Sequence, residues 1–175
     1  MQEICLHPNG HTIVKLLKSC AKLKDLEKGL KLHAHIVKRN LLKGNVFIGT
    51  ALVDMYGKCG EIAKAQDAFD QLQIHDVISW NALIAGYVRQ DMAEEALNCF
   101  EQMQIHAVLP DAATFSCTLK ACGVLKDIEK GGQICALIER KRLWETSLPA
   151  GNAMIDMYVK CGFLEKAQEV FHKLP

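Results

Sequence analysis

Cysteine and histidine are the residue types in this chain that suggest metal or redox chemistry. The 175 residues include eight cysteines and seven histidines. No two cysteines form the C-x-x-C pair that is typical of zinc sites and redox motifs. His33 and His35 are two residues apart, which places them about 200° apart around a helix, so they do not favour a shared metal ion. We therefore expect buried thiols in a reducing compartment, with no metal site, no cofactor and no catalytic group.

A repeated motif shows how the chain is organised. The segment DMYGKCG at residues 54–60 returns as DMYVKCG at residues 156–162, which is 102 residues later. Around these motifs, residues 51–69 and 153–171 match at eleven of nineteen positions without a gap. Similarity at a fixed spacing is the signature of a repeat architecture.

Within this long period the apolar residues predict shorter units, each made of two amphipathic helices and a turn. The first helix of one unit, for example, has an apolar stripe at Ile48, Ala51, Leu52, Met55 and Tyr56. The predicted divisions are residues 1–9 (the tail of a truncated unit), 10–45 (long), 46–76 (short), 77–111 (35 residues), 112–147 (long) and 148–175 (an incomplete short unit). Helix pairs of this size cannot bury their apolar stripes alone, so we predict an all-α fold, a right-handed α-solenoid of stacked pairs.

The incomplete units suggest that the chain is a piece of a longer protein. Helix faces that lack a neighbouring unit would expose apolar side chains, so we expect a tendency to self-associate. The formal net charge of +1 gives no bulk electrostatic preference for nucleic acid or membrane. No apolar run approaches the roughly 18 to 20 residues that span a bilayer, so we do not expect a membrane partner. No pattern indicates a small-molecule substrate, so we do not expect one.

Three kinds of unit occur in a regular order, and their sequences resemble a known family. VISWNALIAGYVRQDMAEEALNCFEQMQIHAVLPD forms the 35-residue unit, TIVKLLKSCAKLKDLEKG and TFSCTLKACGVLKDIEKG belong to the long units, and GTALVDMYGKCG and GNAMIDMYVKCG to the short ones. Together they resemble the pentatricopeptide repeat proteins of the plant PLS class. The resemblance implies sequence-specific binding of single-stranded RNA, with one base per unit. It also implies a mitochondrial or chloroplast RNA-processing factor, for example one that recognises sites of C-to-U editing.

The resemblance assigns base reading to the fifth and the last residue of each unit. Thr50 with Asp76 implies a preference for G, and Asn81 with Asp111 implies a preference for U. The remaining assigned positions are Val14 with Asn45 and Ser116 with Ser147 in the long units, and Asn152 in the incomplete unit.

One face of each first helix can present these groups together. Positions two, five, nine and thirteen of a unit fall within about 80° of one another around a helix. At the second position, Phe47 and Ile78 are suited to clamp a base. The thirteenth positions carry cations that could contact phosphate, namely Lys22, Lys58, Arg89 and Lys160.

Other interpretations of these residues remain open. Asp76 and Asp111 precede helices and could cap them, and the cations lie where they would complement the helix dipole. Trp80 and Trp144 are expected to serve in packing. A protein–protein scaffold of the tetratricopeptide type is the alternative function, although a peptide groove would not require the paired polar residues together with the cations. The H-x-E and P-C-x-x-C strings of a zinc deaminase are absent, so the sequence predicts binding and not catalysis.

Overall fold

The architecture is built from short helices that pair along the chain. The structure, a computed structural model, describes residues 9–42, 44–143 and 147–174, and these residues contain no strand. None of the helices in this described part is long and apolar enough to cross a membrane. The helices are α1 (Gly10–Leu23), α2 (Leu26–Lys38), α3 (Val46–Cys59), α4 (Ile62–Asp70), α5 (Val77–Arg89), α6 (Ala93–Ile105), α7 (Ala112–Leu125), α8 (Ile128–Arg140), α9 (Leu148–Lys160) and α10 (Leu164–Lys173).

Polar caps determine where the first helices of the units begin. Asn9, Asn45, Asp76 and Asp111 each precede a helix, and each side chain accepts a hydrogen bond from the backbone N–H three residues later. The capping interpretation of Asp76 and Asp111 is therefore confirmed. Such a cap contributes about 1 kcal/mol to the stability of its helix. The last residue of a unit is thus held in a fixed orientation at the start of the next first helix.

The turns inside the units require a left-handed backbone. Gly60 ends α3 with φ of 88°, and glycine adopts this conformation without steric cost. The long units use lysine at the same place, with φ of 53° at Lys24 and 56° at Lys126. A side chain in this region costs about 1–2 kcal/mol. The turn geometry is therefore set by the repeat and is kept even where the local residue opposes it.

Residues 1–75 form one compact unit, in which the described helices are α1 to α4. Helix α1 packs on α2 and on α3, and α3 also packs on α2 and α4. The whole predicted apolar stripe of α3 is buried, and it meets Ile13 and Leu17 of α1 and Ile36 of α2 in one core. On α4 the buried residues are Ala65, Ala68 and Phe69. First helices lie beside first helices, as expected for stacked repeats.

Residues 76–175 form the second compact unit, with helices α5 to α10. The same scheme recurs here, because α5 packs on α7, α7 packs on α9, and each of these also packs on its own second helix. The core includes Leu83, Phe100, Phe115, Leu119 and Met157. Trp80 is 4% exposed, which confirms the expectation that it serves in packing.

Two glycines allow close packing between a long unit and the short unit that follows. A Cβ atom added at Gly29 in α2 would lie 2.5 Å from Sδ of Met55, and one added at Gly131 in α8 would lie 2.6 Å from Sδ of Met157. Both methionines are fully buried. The second helix of the long unit can approach the next first helix this closely only because it presents no side chain there.

Candidate nucleic-acid interface

A cleft between α1 and α3 brings together several predicted site residues of the first unit. Its open volume is about 350 Å³, within the roughly 300–1,000 Å³ range of ligand sites. The lining residues are Gly10, His11, Val14, Lys18, Asn45 and Phe47. Val14 and Asn45, predicted from the fifth and last positions of the unit, therefore meet at one place beside the predicted clamp residue Phe47.

The cleft offers the groups that a stacked base needs. The Phe47 side chain is 78% exposed, although it belongs to a helix with a buried face. Asn45 supplies an amide whose oxygen accepts a hydrogen bond from the backbone N–H of Ile48 at 3.3 Å. Lys18 adds a positive charge to the wall. An exposed ring beside a cation and an amide suits single-stranded nucleic acid, in which the bases stack and the phosphates attract cations.

Lys18 was not among the predicted site residues. It occupies the ninth position of its unit, on the helix face that also carries positions two, five and thirteen. Cations were expected only at the thirteenth position. The signal for Lys18 was therefore present in the sequence.

Asn81 and Asp111 form a hydrogen-bonded pair in the 35-residue unit of residues 77–111. Nδ2 of Asn81 donates to Oδ1 of Asp111 at 3.0 Å, across thirty residues of sequence. Thr114 completes the cluster, because its hydroxyl donates to Oδ1 of Asn81 at 2.6 Å and its backbone N–H donates to Asp111 at 2.9 Å. The fifth and the last residue of this unit are thus placed side by side and fixed by the helix cap.

The cluster holds Asp111 in its charged form. Partial burial acts to raise the pKa of the carboxyl, but the hydrogen bonds from Thr114 and Asn81 outweigh it and lower the pKa below its ordinary value. The hydrogen bonds from Asn81 and Thr114 all end on Oδ1 of Asp111. The pair can therefore offer one acceptor oxygen, together with the second N–H of the Asn81 amide as a donor.

The other predicted base-reading residues lie in varied environments. Oγ1 of Thr50 is buried and has no hydrogen-bond partner among the described residues. Asp76 accepts from the backbone N–H of Ser79 at 2.8 Å. Ser116 is buried, and its hydroxyl donates to the carbonyl of Ala112 at 2.7 Å.

Three further predicted residues lie in or next to the first helices of their units. Ser147 precedes α9 but makes no side-chain capping bond, and Asn152 is exposed. The predicted clamp residue Ile78 is 62% exposed. The roles assigned to these three residues stay predictions.

The predicted cations fall into two groups. All four lie in the last turn of a first helix, where they also complement the helix dipole. Lys58 and Lys160 are each paired with an aspartate of their own helix, at 2.7 and 2.8 Å. Lys22 and Arg89 are exposed and form no ion pair with another described residue.

The described cysteines differ in burial: Cys20, Cys122 and Cys135 are buried, whereas Cys59, Cys99, Cys117 and Cys161 are half-buried. No group of His, Cys, Asp or Glu among the described residues is arranged to hold a metal ion. Burial raises the pKa of the Cys122 thiol to about 12 and that of Cys135 to about 11, so both thiols stay protonated at neutral pH. His33 forms a hydrogen bond with the hydroxyl of Tyr56 at 2.7 Å inside the first unit. Trp144 lies outside the described residues.

Comparison with known families gives the class of the protein. A model of the PPR repeat family matches residues 75–123, and a model of the PPR repeat matches residues 50–77 and 152–175. Together the matches cover more than half of the chain. The chain belongs to the pentatricopeptide repeat family.

Relatives in Arabidopsis thaliana are similar over nearly all of the chain. Pentatricopeptide repeat-containing protein At3g09040, mitochondrial, is 38% identical over 94% of the chain. Pentatricopeptide repeat-containing protein At4g18520, chloroplastic, is 35% identical over the whole chain. The chain spans only 16% and 28% of the lengths of these two proteins.

A solved structure supports the fold. The crystal structure of the pentatricopeptide repeat protein PPR10 in complex with an 18-nt psaJ RNA element matches 97% of the chain and 25% of PPR10, with a TM-score of 0.73. The sequence identity is 18%, so this similarity concerns the fold alone. The predicted all-α solenoid of stacked helix pairs is confirmed.

Proposed function

We propose that this chain binds single-stranded RNA and that its units read individual bases. The hydrogen-bonded pair of Asn81 and Asp111 carries the proposal, because it places one donor and one charged acceptor side by side on the face of the first helices. Uracil offers an acceptor carbonyl next to an N–H donor, which complements this pair. We therefore propose that the unit of residues 77–111 prefers U.

The cleft between α1 and α3 supports the same function at a second place. Phe47 and His11 are the second residues of consecutive units, and they line a cleft that also holds the fifth and last residues of the first of these units. A base can stack on Phe47 while its edge faces Asn45. Stacking of this kind contributes about 1–3 kcal/mol per base and tolerates any base. The exposure of Ile78 suits the same clamping role in the 35-residue unit of residues 77–111.

Related proteins and the order of the units support a more specific proposal. Relatives of this chain are named mitochondrial or chloroplastic, and PPR10 was crystallised with RNA. The alternation of long, short and 35-residue units supports membership of the PLS class. We propose that the chain is an RNA-recognition segment of an organellar RNA-processing factor, such as one that recognises C-to-U editing sites.

Exchange of the base-reading residue tests the proposal. Asn81→Thr keeps Asp111 but gives the unit the Thr and Asp combination assigned to G, so preference at one RNA position should change from U to G. A base contact is worth roughly 1–3 kcal/mol, or about 5- to 150-fold in relative affinity. The measurement is a competition between two single-stranded RNAs that differ only at that position, at one fixed salt concentration. Thr50→Asn should produce the reciprocal change from G to U at the neighbouring position.

Asn98→Thr provides the matched control, because Asn98 is exposed on the second helix α6 and should leave base preference unchanged. Equal loss of binding to both RNAs after Asn81→Thr would refute base reading by this residue. Absence of binding to any single-stranded RNA by the unaltered chain would refute the function itself.

A further inference from the structure

The repeated DMYxKCG motif contains an ion pair that the base-reading scheme does not use. Oδ2 of Asp54 lies 2.7 Å from Nζ of Lys58, and Oδ2 of Asp156 lies 2.8 Å from Nζ of Lys160. In each pair the acid is four residues before the base, which is the favoured orientation on a helix. All four side chains are partly exposed. In both short units the aspartate is at the ninth position and the lysine at the thirteenth, on the face proposed to meet RNA.

The other units have no acid at the ninth position. That position is Lys18 in the first long unit, Ala85 in the 35-residue unit and Lys120 in the second long unit. Lys18 lines the cleft beside Phe47. Like Lys22 and Arg89, the lysines at 18 and 120 are exposed and form no ion pair with a described residue. The cations of this face thus belong to two classes, paired in the short units and unpaired in the others.

The two classes should differ in how they attract RNA. Binding through phosphates gains from the release of counterions, and the gain depends on how many phosphates the protein neutralises. A phosphate that approaches Lys58 also approaches the carboxylate of Asp54, so the pair offers almost no net charge. Lys18 and Lys22 together offer two full charges one helical turn apart.

We propose that Asp54 and Asp156 neutralise the phosphate contacts of the short units. The backbone of a bound RNA is then held through the unpaired cations of the long and 35-residue units. Lys18, at the ninth position of its unit, contacts phosphate in addition to the cations at the thirteenth positions. The aspartates limit binding that is independent of sequence and so leave a larger share of the affinity to base reading. This inference rests on the proposed RNA binding.

Asp54→Asn tests the role of the aspartate, because it removes the charge and keeps the shape. Asp67→Asn is the matched control, since it changes the net charge equally but lies exposed on the second helix α4. The probe is a labelled single-stranded RNA of mixed sequence, with affinities measured at about 50 and about 200 mM salt. One added phosphate contact steepens the salt dependence by about 0.7 in logarithmic slope, so the ratio of the two affinities should rise about threefold for Asp54→Asn only.

Lysine substitutions complete the test. In the Asp54→Asn background, Lys58→Ala should remove the threefold gain and return the ratio to that of the unaltered chain, because both charges of the pair are then absent. Lys18→Ala should lower the ratio about threefold, because one contact is lost. Lys38→Ala is its control, since Lys38 is exposed on the second helix α2.

Two results would overturn the inference. One is an equal effect of Asp54→Asn and Asp67→Asn, and the other is a threefold gain that persists when Lys58→Ala is added to Asp54→Asn. These results can be separated from failure of the proposed function. If the unaltered chain binds the single strand and the variants behave otherwise than stated, only the inference fails. If the unaltered chain does not bind it, the proposed function fails and the inference with it.

Discussion

Gly131→Ala should destabilise the second unit, although alanine is the better helix former. The new Cβ atom would lie 2.6 Å from Sδ, 3.0 Å from Cε and 3.2 Å from Cγ of Met157. Met157 is fully buried, so it cannot move aside into solvent. Overpacking of this kind costs about 1–3 kcal/mol. The gain in helix propensity of roughly 1 kcal/mol offsets part of that cost, which leaves a net loss of about 0–2 kcal/mol.

The neighbouring glycine isolates the packing cost. A Cβ atom at Gly132 meets nothing within 4 Å, and Gly132 lies in the same stretch of α8. Gly132→Ala should therefore stabilise the chain by about 0.5–1 kcal/mol. Helix propensity cancels between the two variants, so their free energies of unfolding should differ by the overpacking term alone, about 1–3 kcal/mol. For a chain of this size that corresponds to roughly 2–4 °C in Tm per kcal/mol.

Urea denaturation followed by far-UV circular dichroism measures the two free energies. A second background tests the cause, because Met157→Ala removes the three atoms that the new Cβ would meet. Met157→Ala alone should cost about 2–5 kcal/mol. In that background Gly131→Ala should become stabilising, like Gly132→Ala. Equal stability of the two alanine variants, or a penalty that persists without the Met157 side chain, would refute the packing explanation.

Three further predictions concern other parts of the molecule. Burial lowers the pKa of His33, so the stabilisation by its neutral ring is present above the unfolded pKa of about 6.5 and is lost as pH falls through the folded pKa. His33→Cys, which copies the equivalent residue Cys135, should reduce this loss of stability in urea titrations between about pH 5 and 8. An unchanged dependence of stability on pH would contradict this prediction. Ala107 has φ of 55°, so Ala107→Gly should stabilise the chain by about 1 kcal/mol in thermal unfolding, whereas a lower Tm would show that the turn is not strained. Phe171 is 65% exposed on α10, and Phe171→Glu should reduce self-association in sedimentation at rising concentration, whereas unchanged association would contradict a contact through this side chain.

Local sequence was sufficient for the helices and for much of the face proposed to bind RNA. Asp25 caps α2, because its side chain accepts from the backbone N–H of Lys28 at 3.1 Å. Gly60 ends α3 with a left-handed backbone. These features depend on residues three or four apart, and such short-range hydrogen bonds are determined by the order of residue types. The pairing of Asp54 with Lys58 is equally local, and it could have been found from the motif itself.

Tertiary structure alone decided which distant groups meet. Asn81 and Asp111 are thirty residues apart, and the packing of α5, α6 and α7 brings them within hydrogen-bonding distance and adds Thr114. Family resemblance paired Asn81 with Asp111, but neither residue type nor spacing predicted the threonine. In the same way Gly131 is required by Met157 of another helix. Contacts of this kind depend on the distance between packed helices and on the side-chain conformations that fill the space, and no local pattern encodes either of these.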